Sequence, residues 1–532
     1  MYLSSIMPFD NFLLSTLVAS TPIIVFLLCL TLLKMKGVYA ALTTLVITIP
    51  IATFVFDTPI NISAGGMLEG AFQGLLPIGY IIIMAVWLYK ISQHTGQFKI
   101  IEDSIAGISQ DQRIQLLLIG FCFNAFLEGA AGFGVPIAVC AVLLIQLGFK
   151  PLQAAMLCLV ANGASGAFGA IGIPIGIVDS LNLEGGITAM DVSQMSALIL
   201  PFLAFLIPFL IIFMLDGFKG IKEILPAILV VSIVYTGLQT FIIVFNGPEL
   251  ADIIPPLAAM VALAVLSRFH QPKNIFRLNA ENVEAPTLRT VREVIYAWSP
   301  FYILTILVLI WSAQFFKDLF AEGGILNALV FNLPIPGTAN DVTGGLITLN
   351  VNIIGATGTA ILLSALITII IASTINFKEA GELLGQTTKE LFLPVITICL
   401  ILAIARITTY GGLTNAMSQG IASVGNAFPI FSPILGWIGV FMTGSVVNNN
   451  TLFAPIQATV ATEIGTSGSL LVAANTAGGV AAKLISPQSI AIATAAVQKV
   501  GEESKLLKMT LKYSLGMLVF ICILTFILTL FI

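Results

Sequence analysis

Residues 126–139 read FLEGAAGFGVPIAV. This apolar stretch holds a carboxylate, Glu128, with Gly129, Gly132, Gly134 and Pro136 close behind it. A helix in lipid is weakened by each of them. Glycine and proline disfavour helical backbone, and a carboxylate is costly to hold in hydrocarbon. The stretch is therefore either a surface loop or a break with a purpose, and the fold turns on which.

The surroundings favour the second reading. Of 532 residues, 58% are hydrophobic and 9% are charged, against about 25% charged in soluble domains. Apolar runs of about 20 residues recur along the whole chain, the signature of membrane-crossing helices. The expected fold class is an all-α polytopic membrane protein with no sizeable soluble domain. The N-terminus has neither a charged n-region nor a small-residue cleavage site, so the run 12–33 is expected as a first span and not a signal peptide. Six cysteines (Cys29, Cys122, Cys140, Cys158, Cys399, Cys522) sit singly in apolar runs and read as buried thiols. Two isolated histidines, His94 and His270, argue against haem or a zinc cluster. No GxxxxGK[ST] occurs, so nothing points to ATP hydrolysis. No cofactor or metal is expected, and nothing suggests nucleic acid.

Crossings are expected at about 12–33, 38–56, 74–91, 151–175, 195–215, 223–245, 250–268, 294–316, 356–375, 391–410, 467–496 and 508–531. Two further apolar segments, about 114–147 and 430–462, are interrupted by Gly- or Asn-rich runs and read as re-entrant hairpins. Charge tests this layout. With the Lys34–Lys36 turn in the cytoplasm, nineteen of the 22 Lys and Arg fall on that side. Lys317 lies outside, and Arg406 and Lys483 stay in or at the edge of the membrane. Positive charge concentrates in cytoplasmic loops, which supports about twelve transmembrane helices plus two hairpins.

The two halves also resemble each other. ANGASGAFGAIGIP (161–174) aligns without a gap on ANTAGGVAAKLISP (474–487), pairing Asn162 with Asn475, Gly166 with Gly479 and Pro174 with Pro487. LLPIGYIIIMAVWLYKIS (75–92) aligns on FLPVITICLILAIARIT (392–408), pairing Pro77 with Pro394 and Lys90 with Arg406. An odd number of crossings separates matching points, so the repeats should be inverted. The expected division is an N-terminal repeat with a linker helix (1–245), a second linker helix with a polar cytoplasmic loop (246–293), and a C-terminal repeat (294–532). Inverted repeats with discontinuous helices are a transporter architecture that holds substrate at the midplane. Irregular backbone at membrane depth survives where it lines a cavity or is buried in protein. A glycine-rich tip brings backbone close to a ligand, and free amides at helix starts attract an anion.

FLEGAAGFGVPIAV, the following PLQAAMLCLVANGASGAFGAIGIPIGI, AWSPF at 297–301 and LLVAANTAGGVAAKLISPQSIAIATAAV at 470–497 resemble the bacterial L-lactate permease family. The likeness runs over nearly the whole chain. It implies proton symport of L-lactate, and of related 2-hydroxy monocarboxylates such as glycolate or D-lactate, across the bacterial cytoplasmic membrane. It also implies an elevator-type secondary transporter rather than an enzyme. Many members carry a second tip similar to GSDTSSN; here residues 444–451 read GSVVNNNT.

The substrate-binding candidates are Gly129, Ala130, Ala131, Gly132 and Gly134 at the first tip, Asn448, Asn449, Asn450 and Thr451 at the second, Asn162, Asn475 and Gly478 at two expected helix breaks, and Lys483. Glu128 is the candidate proton-coupling residue, because a partly desolvated carboxylate holds a proton near neutral pH. The plainer alternatives remain open. Glu128 could be a carboxylate at the cytoplasmic mouth bonded to tip amides with no role in transport, Lys483 could form only a structural ion pair, Asn162 and Asn475 could only tie broken helices together, and Arg406 could be a snorkelling anchor at a membrane face. A sodium-coupled carboxylate transporter and a passive anion channel are the alternative functions. An intramembrane enzyme would need a convergent acid, base or metal cluster, and only scattered polar groups are present. Expected partners are lactate or glycolate, protons and the lipid bilayer, with homo-oligomerisation left open.

Overall fold

The computed structural model describes residues 8–532, apart from 10, 133, 271, 273, 279–288, 339–345, 373 and 423–424. The centre of the polar linker, 279–288, thus lies outside the described residues, as does Phe133 at the first tip. Among the described residues nine helices are long and apolar enough to cross a membrane, or up to twelve when each bent pair counts as one span. The protein is helical throughout except for one small antiparallel strand pair among the described residues, Phe331–Pro334 with Thr348–Val351. That pair lies in the long loop after Lys317 and was not legible in the sequence.

Every expected crossing has a helical counterpart, but two are much longer than their apolar cores. The segment expected at 74–91 begins at Ile60 and runs to His94; that expected at 391–410 begins at Phe377 and runs to Tyr410. Residues 60–73, INISAGGMLEGAFQ, are too polar to read as lipid-facing. They form a helix because they are covered by protein: Gly65, Gly66, Glu69 and Gly70 are buried. In each long element the internal proline is the eighteenth residue, Pro77 in one and Pro394 in the other.

These two matched elements pack antiparallel. Gly66 faces Arg406, Gly70 faces Leu402, Gly74 faces Cys399 and Gly79 faces Val395, so one helix descends as the other rises. The glycines make this possible. A Cβ on Gly74 would stand 2.5 Å from the Cα of Cys399, and one on Gly70 would meet the backbone of Leu402 and Ala403. Small residues let helix backbones touch in lipid, where no hydrophobic effect drives helices together.

The elements that follow also correspond. Each long helix leads to a short one, Gln97–Ala106 or Leu413–Ala422. Next come two helices that double back. The first pair, Gln112–Ala130 and Val135–Gln146, turns at Gly132 and Gly134, with φ of 61° and 85°. The second, Phe428–Thr443 and Val446–Ile464, turns at Gly444, φ 71°. Positive φ is cheap only for glycine. Discontinuous helices then follow. Pro151–Ala164 and Gly169–Ser180 meet at 50°, and Gly468–Lys483 is separated from Pro487–Ala496 by residues 484–486.

This corrects the expected break at Asn475. That residue lies in mid-helix, and the interruption comes nine residues later. Gly478 and its neighbours do not loosen the helix; a Cβ on Gly478 would strike the backbone of Pro433. Helix 428–443 instead packs backbone to backbone on this glycine face.

The first hairpin sits deepest. The arm Gln112–Ala130 is apolar yet wholly buried within the protein. Phe126 packs edge-on to Phe301 (4.9 Å) and against Trp298 (5.3 Å), which accounts for the aromatic pair in AWSPF. At its foot, buried Arg113 is paired with Asp111 (2.8 Å), Asp216 (3.0 Å) and Glu223 (2.6 Å). The outer helices do the reverse and expose large apolar side chains, such as Leu13, Phe54 and Ile233, as a lipid-facing girdle requires.

Candidate functional site

Both hairpin tips and both discontinuous helices meet at one cavity of about 370 Å³. The first tip contributes Glu128, Gly132 and Gly134. The first break contributes Gly166, Gly169 and Ala170, the second tip 443–448, and the second break Lys483, Gln488 and Ser489. The cavity reaches the exposed Lys36 at the start of helix Gly37–Pro50 and the Pro394 turn of the long C-terminal helix. That mouth lies on the side of the Lys34–Lys36 turn, the side expected to be cytoplasmic from the distribution of Lys and Arg.

Glu128 occupies the last turn of helix Asn124–Ala130 and is buried. Its Oε1 is ion-paired with Lys483 Nζ. Its Oε2 accepts a 2.9 Å hydrogen bond from Asn162 Nδ2. Asn124 donates to the Cys158 carbonyl at 2.9 Å and accepts from Asn162 at 3.4 Å, holding the hairpin to the discontinuous helix. The carboxylate fits because residue 169 is glycine: a Cβ there would strike Glu128. Lys483 ends its helix, where a cation is favoured by the helix dipole. Pair and cavity wall thus combine one buried negative and one partly buried positive charge.

Three helix starts line the same space, after Gly134, at Ser445–Val447 and at Gln488–Ser489. Ser445 Oγ accepts from the amide of Asn448 at 3.2 Å, and Ser486 Oγ from that of Ser489 at 3.2 Å. N-terminal amides carry partial positive charge, so the cavity suits a small anion. Asn448 Oδ1 and Asn162 Oδ1 are buried without a hydrogen-bond partner. The wall is otherwise mostly apolar, with Ile173, Val446, Val447 and Ile492.

Not all the sequence candidates reach the cavity. Gly132, Gly134, Asn448, Lys483 and Glu128 line it. Asn162 stands behind it, bonded to Glu128. Ala130 and Ala131 are buried in the turn, and Gly129 packs on Asp252. Asn449, Asn450, Thr451 and Asn475 belong to a buried polar seam. Asn450 Nδ2 donates to the Pro174 carbonyl (2.7 Å) and to Thr476 (2.8 Å), while its Oδ1 accepts from Asn475 Nδ2 (3.0 Å). Gln457 donates to Asn475 at 3.3 Å, and Thr451 bonds back to the Val447 carbonyl at 2.9 Å. The seam ties the second hairpin to both discontinuous helices.

Arg406 is not an anchor at a membrane face. It is buried and paired with Glu69 at 3.1 Å. It donates to the carbonyls of Ser180 (2.6 Å) and Leu181 (3.2 Å), and Tyr410 donates to Glu69 at 2.6 Å. Its repeat counterpart Lys90 pairs with Glu390 nearer the surface.

Sequence reasoning passed over Thr443, Ser445, Gln488 and Ser489 in the cavity wall. Ser445 was accessible, since a serine just after Gly444 is a helix-capping signal. It also passed over a second cavity of about 480 Å³. Leu76, Pro77 and Ile81 line the second cavity; Leu393, Pro394 and Ile398, their repeat counterparts, line the first. The turn 170–173 separates them, with Ala170 facing the first, Ile171 and Gly172 the second, and Ile173 both.

The family model described as L-lactate permease matches residues 15–532. The L-lactate permease of Halalkalibacterium halodurans is 59% identical over 523 residues, covering 98% of each chain. That of Escherichia coli K12 is 45% identical, covering 98% of this chain and 97% of its own. The glycolate permease GlcA of Escherichia coli K12 is 42% identical, covering 96% and 94%. A family match over nearly the whole chain, with relatives this similar from end to end, places the protein in the L-lactate permease family.

Proposed function

We propose that this integral membrane protein imports L-lactate, with glycolate and D-lactate as related substrates, across the bacterial cytoplasmic membrane by proton symport. One observation carries the reading: a pair of buried Glu128 with partly buried Lys483 at the convergence of two tips and two broken helices. The empty site is neutral. A lactate anion entering it would leave an uncompensated charge in a low-dielectric cavity, which is costly. A proton on Glu128 removes that cost. Lys483 then turns to the substrate carboxylate, and the loaded site is neutral again.

Charge balance therefore couples one proton to one lactate. Amides at the three helix starts assist the carboxylate, Asn448 and Ser445 meet the hydroxyl, and Ile173 and Ile492 bound the methyl group. The inverted halves supply one cavity on each side, and the hairpin bundle carries the site between them. The test is uptake of labelled lactate into proteoliposomes with an imposed pH gradient, with sodium replaced by choline. Accumulation without sodium supports the symport. A sodium requirement, or equilibration without accumulation, overturns it in favour of sodium coupling or a channel.

A further inference from the structure

Residues 248–252 lie between the two cavities. Glu249 lines the outer one, and its Oε2 has no hydrogen-bond partner. Nearly one helical turn onward, Asp252 is fully buried. Its Oδ1 accepts from the Tyr235 hydroxyl at 3.0 Å and from Gln239 Nε2 at 3.2 Å, while its Oδ2 accepts from nothing. The first hairpin rests on it. A Cβ on Gly129 would stand 2.8 Å from the Cβ of Asp252. The neighbouring residue, Glu128, faces the other cavity. Gln239 also donates to the Ala164 carbonyl at 3.5 Å, in the break that carries Asn162, the donor to Glu128. Glu249 thus lies at the outer cavity, Asp252 is buried three residues on against the first hairpin, and Glu128, next to the glycine that packs on Asp252, lines the inner cavity.

The groups around this row are few. Tyr235 and Gln239 bond to Asp252 from helix Leu225–Phe245, and the charges of Glu128 and Lys483 at the inner cavity act on it with opposite sign. Lys317 and Asp179 are the charges that act on Glu249. Lys483 is already committed to Glu128, and among the described residues Asp252 makes no ion pair. A carboxyl group buried without a cation is stable as the neutral acid. A neutral acid beside a carboxylate is a proton donor.

We propose that Glu249 and Asp252 relay protons from the outer cavity to Glu128 by a route the substrate does not share. This deepens the symport reading and rests on Glu128 as the proton acceptor. In the transfer the Asp252 O–H bond breaks and an O–H bond forms on Glu128. The Asp252 carboxylate is held by Tyr235 and Gln239 until Glu249 reprotonates it, and Glu249 takes its proton from water in the outer cavity. Lys483 gates the last step. While it is paired with Glu128 that carboxylate is a poor acceptor, and substrate that draws Lys483 away makes it a good one.

The test compares wild type, Glu128→Gln, Asp252→Asn, Glu249→Gln and Tyr235→Phe in proteoliposomes. Two rates are measured for each: accumulation of labelled lactate under an imposed pH gradient, and exchange of labelled lactate between pools at equal pH. Asp252→Asn is expected to lower the ratio of accumulation to exchange by about tenfold or more, the scale of a lost proton-transfer group. Glu249→Gln and Tyr235→Phe are expected to lower it in the same direction. A wild-type ratio in Asp252→Asn overturns the relay, as does equal loss of both rates. Should Asp252→Asn not yield folded protein, wild-type ratios in both other relay variants overturn it. Absence of gradient-driven accumulation in wild type overturns the symport reading itself. Its presence, with loss in Glu128→Gln and none in the relay variants, leaves that reading standing and removes only the relay.

Discussion

Lys483 and Glu128 belong to opposite halves of the chain and form one ion pair at their meeting point. Each ends a helix at the cavity, Lys483 before the 484–486 break and Glu128 just before the glycine turn. Removing one partner leaves the other as an uncompensated buried charge, which costs about 3–5 kcal/mol. Lys483→Met should therefore destabilise the protein by about that amount and stop uptake. The double variant Glu128→Gln with Lys483→Met should recover most of the stability and none of the transport. Thermal unfolding in detergent and lactate uptake, measured on the same preparations, check both halves. A double variant as unstable as Lys483→Met would show that the pair is not the source of the cost.

The Asn450 seam joins the second hairpin to Pro174 and Asn475. Asn450→Ala leaves the Pro174 carbonyl and Asn475 Nδ2 without their partner, at about 1–3 kcal/mol for each unsatisfied buried group. The expected outcome is a lower melting temperature with little change in the lactate concentration for half-maximal uptake. A large rise in that concentration with unchanged stability would instead make Asn450 a substrate contact.

The first atoms that a Cβ on Gly169 would meet are those of the Glu128 carboxylate. Gly169→Ala should displace Glu128 from Lys483 and depress uptake strongly, while the outer packing of the helix is untouched. Transport at the wild-type rate in Gly169→Ala would mean that the Glu128 position is not critical.

The expected inversion of the hairpins has its own check. Lys150, at the foot of the first, and Glu463, at the foot of the second, are both exposed. Cysteines placed there should label from the cytoplasmic and external faces respectively. Labelling of both from one face contradicts the inversion.

The parts of this fold that show in the sequence are those where backbone geometry demands a residue type. Gly132, Gly134 and Gly444 mark the turns because only glycine takes positive φ cheaply. Pro77 and Pro394 mark matched places on the long helices. Asn475, Gly478 and Gly479 misled because a glycine run reads equally as a break or as a face for close helix contact, and here it is the second. Arg406 misled because its partner, Glu69, lies in a stretch whose polarity hid its helix. Asp252 was silent for a similar reason. Its partners Tyr235 and Gln239 precede it by 17 and 13 residues, on helix Leu225–Phe245, and Gly129 comes from the first hairpin. Glu128 was legible because a carboxylate between glycines in an apolar run has few innocent explanations; its partner was only one of several candidates until the halves were brought together.

The central claim is that one proton accompanies each lactate because Glu128 must be neutralised when Lys483 turns to the substrate. Its most direct test is the ratio of proton to lactate fluxes in proteoliposomes containing wild type and Glu128→Gln, read with a pH-sensitive dye and labelled lactate together. The account predicts one proton per lactate in wild type, uptake that falls as outside pH rises, and no lactate-linked proton flux in Glu128→Gln. A Glu128→Gln variant that moves one proton per lactate with the wild-type pH dependence would contradict it.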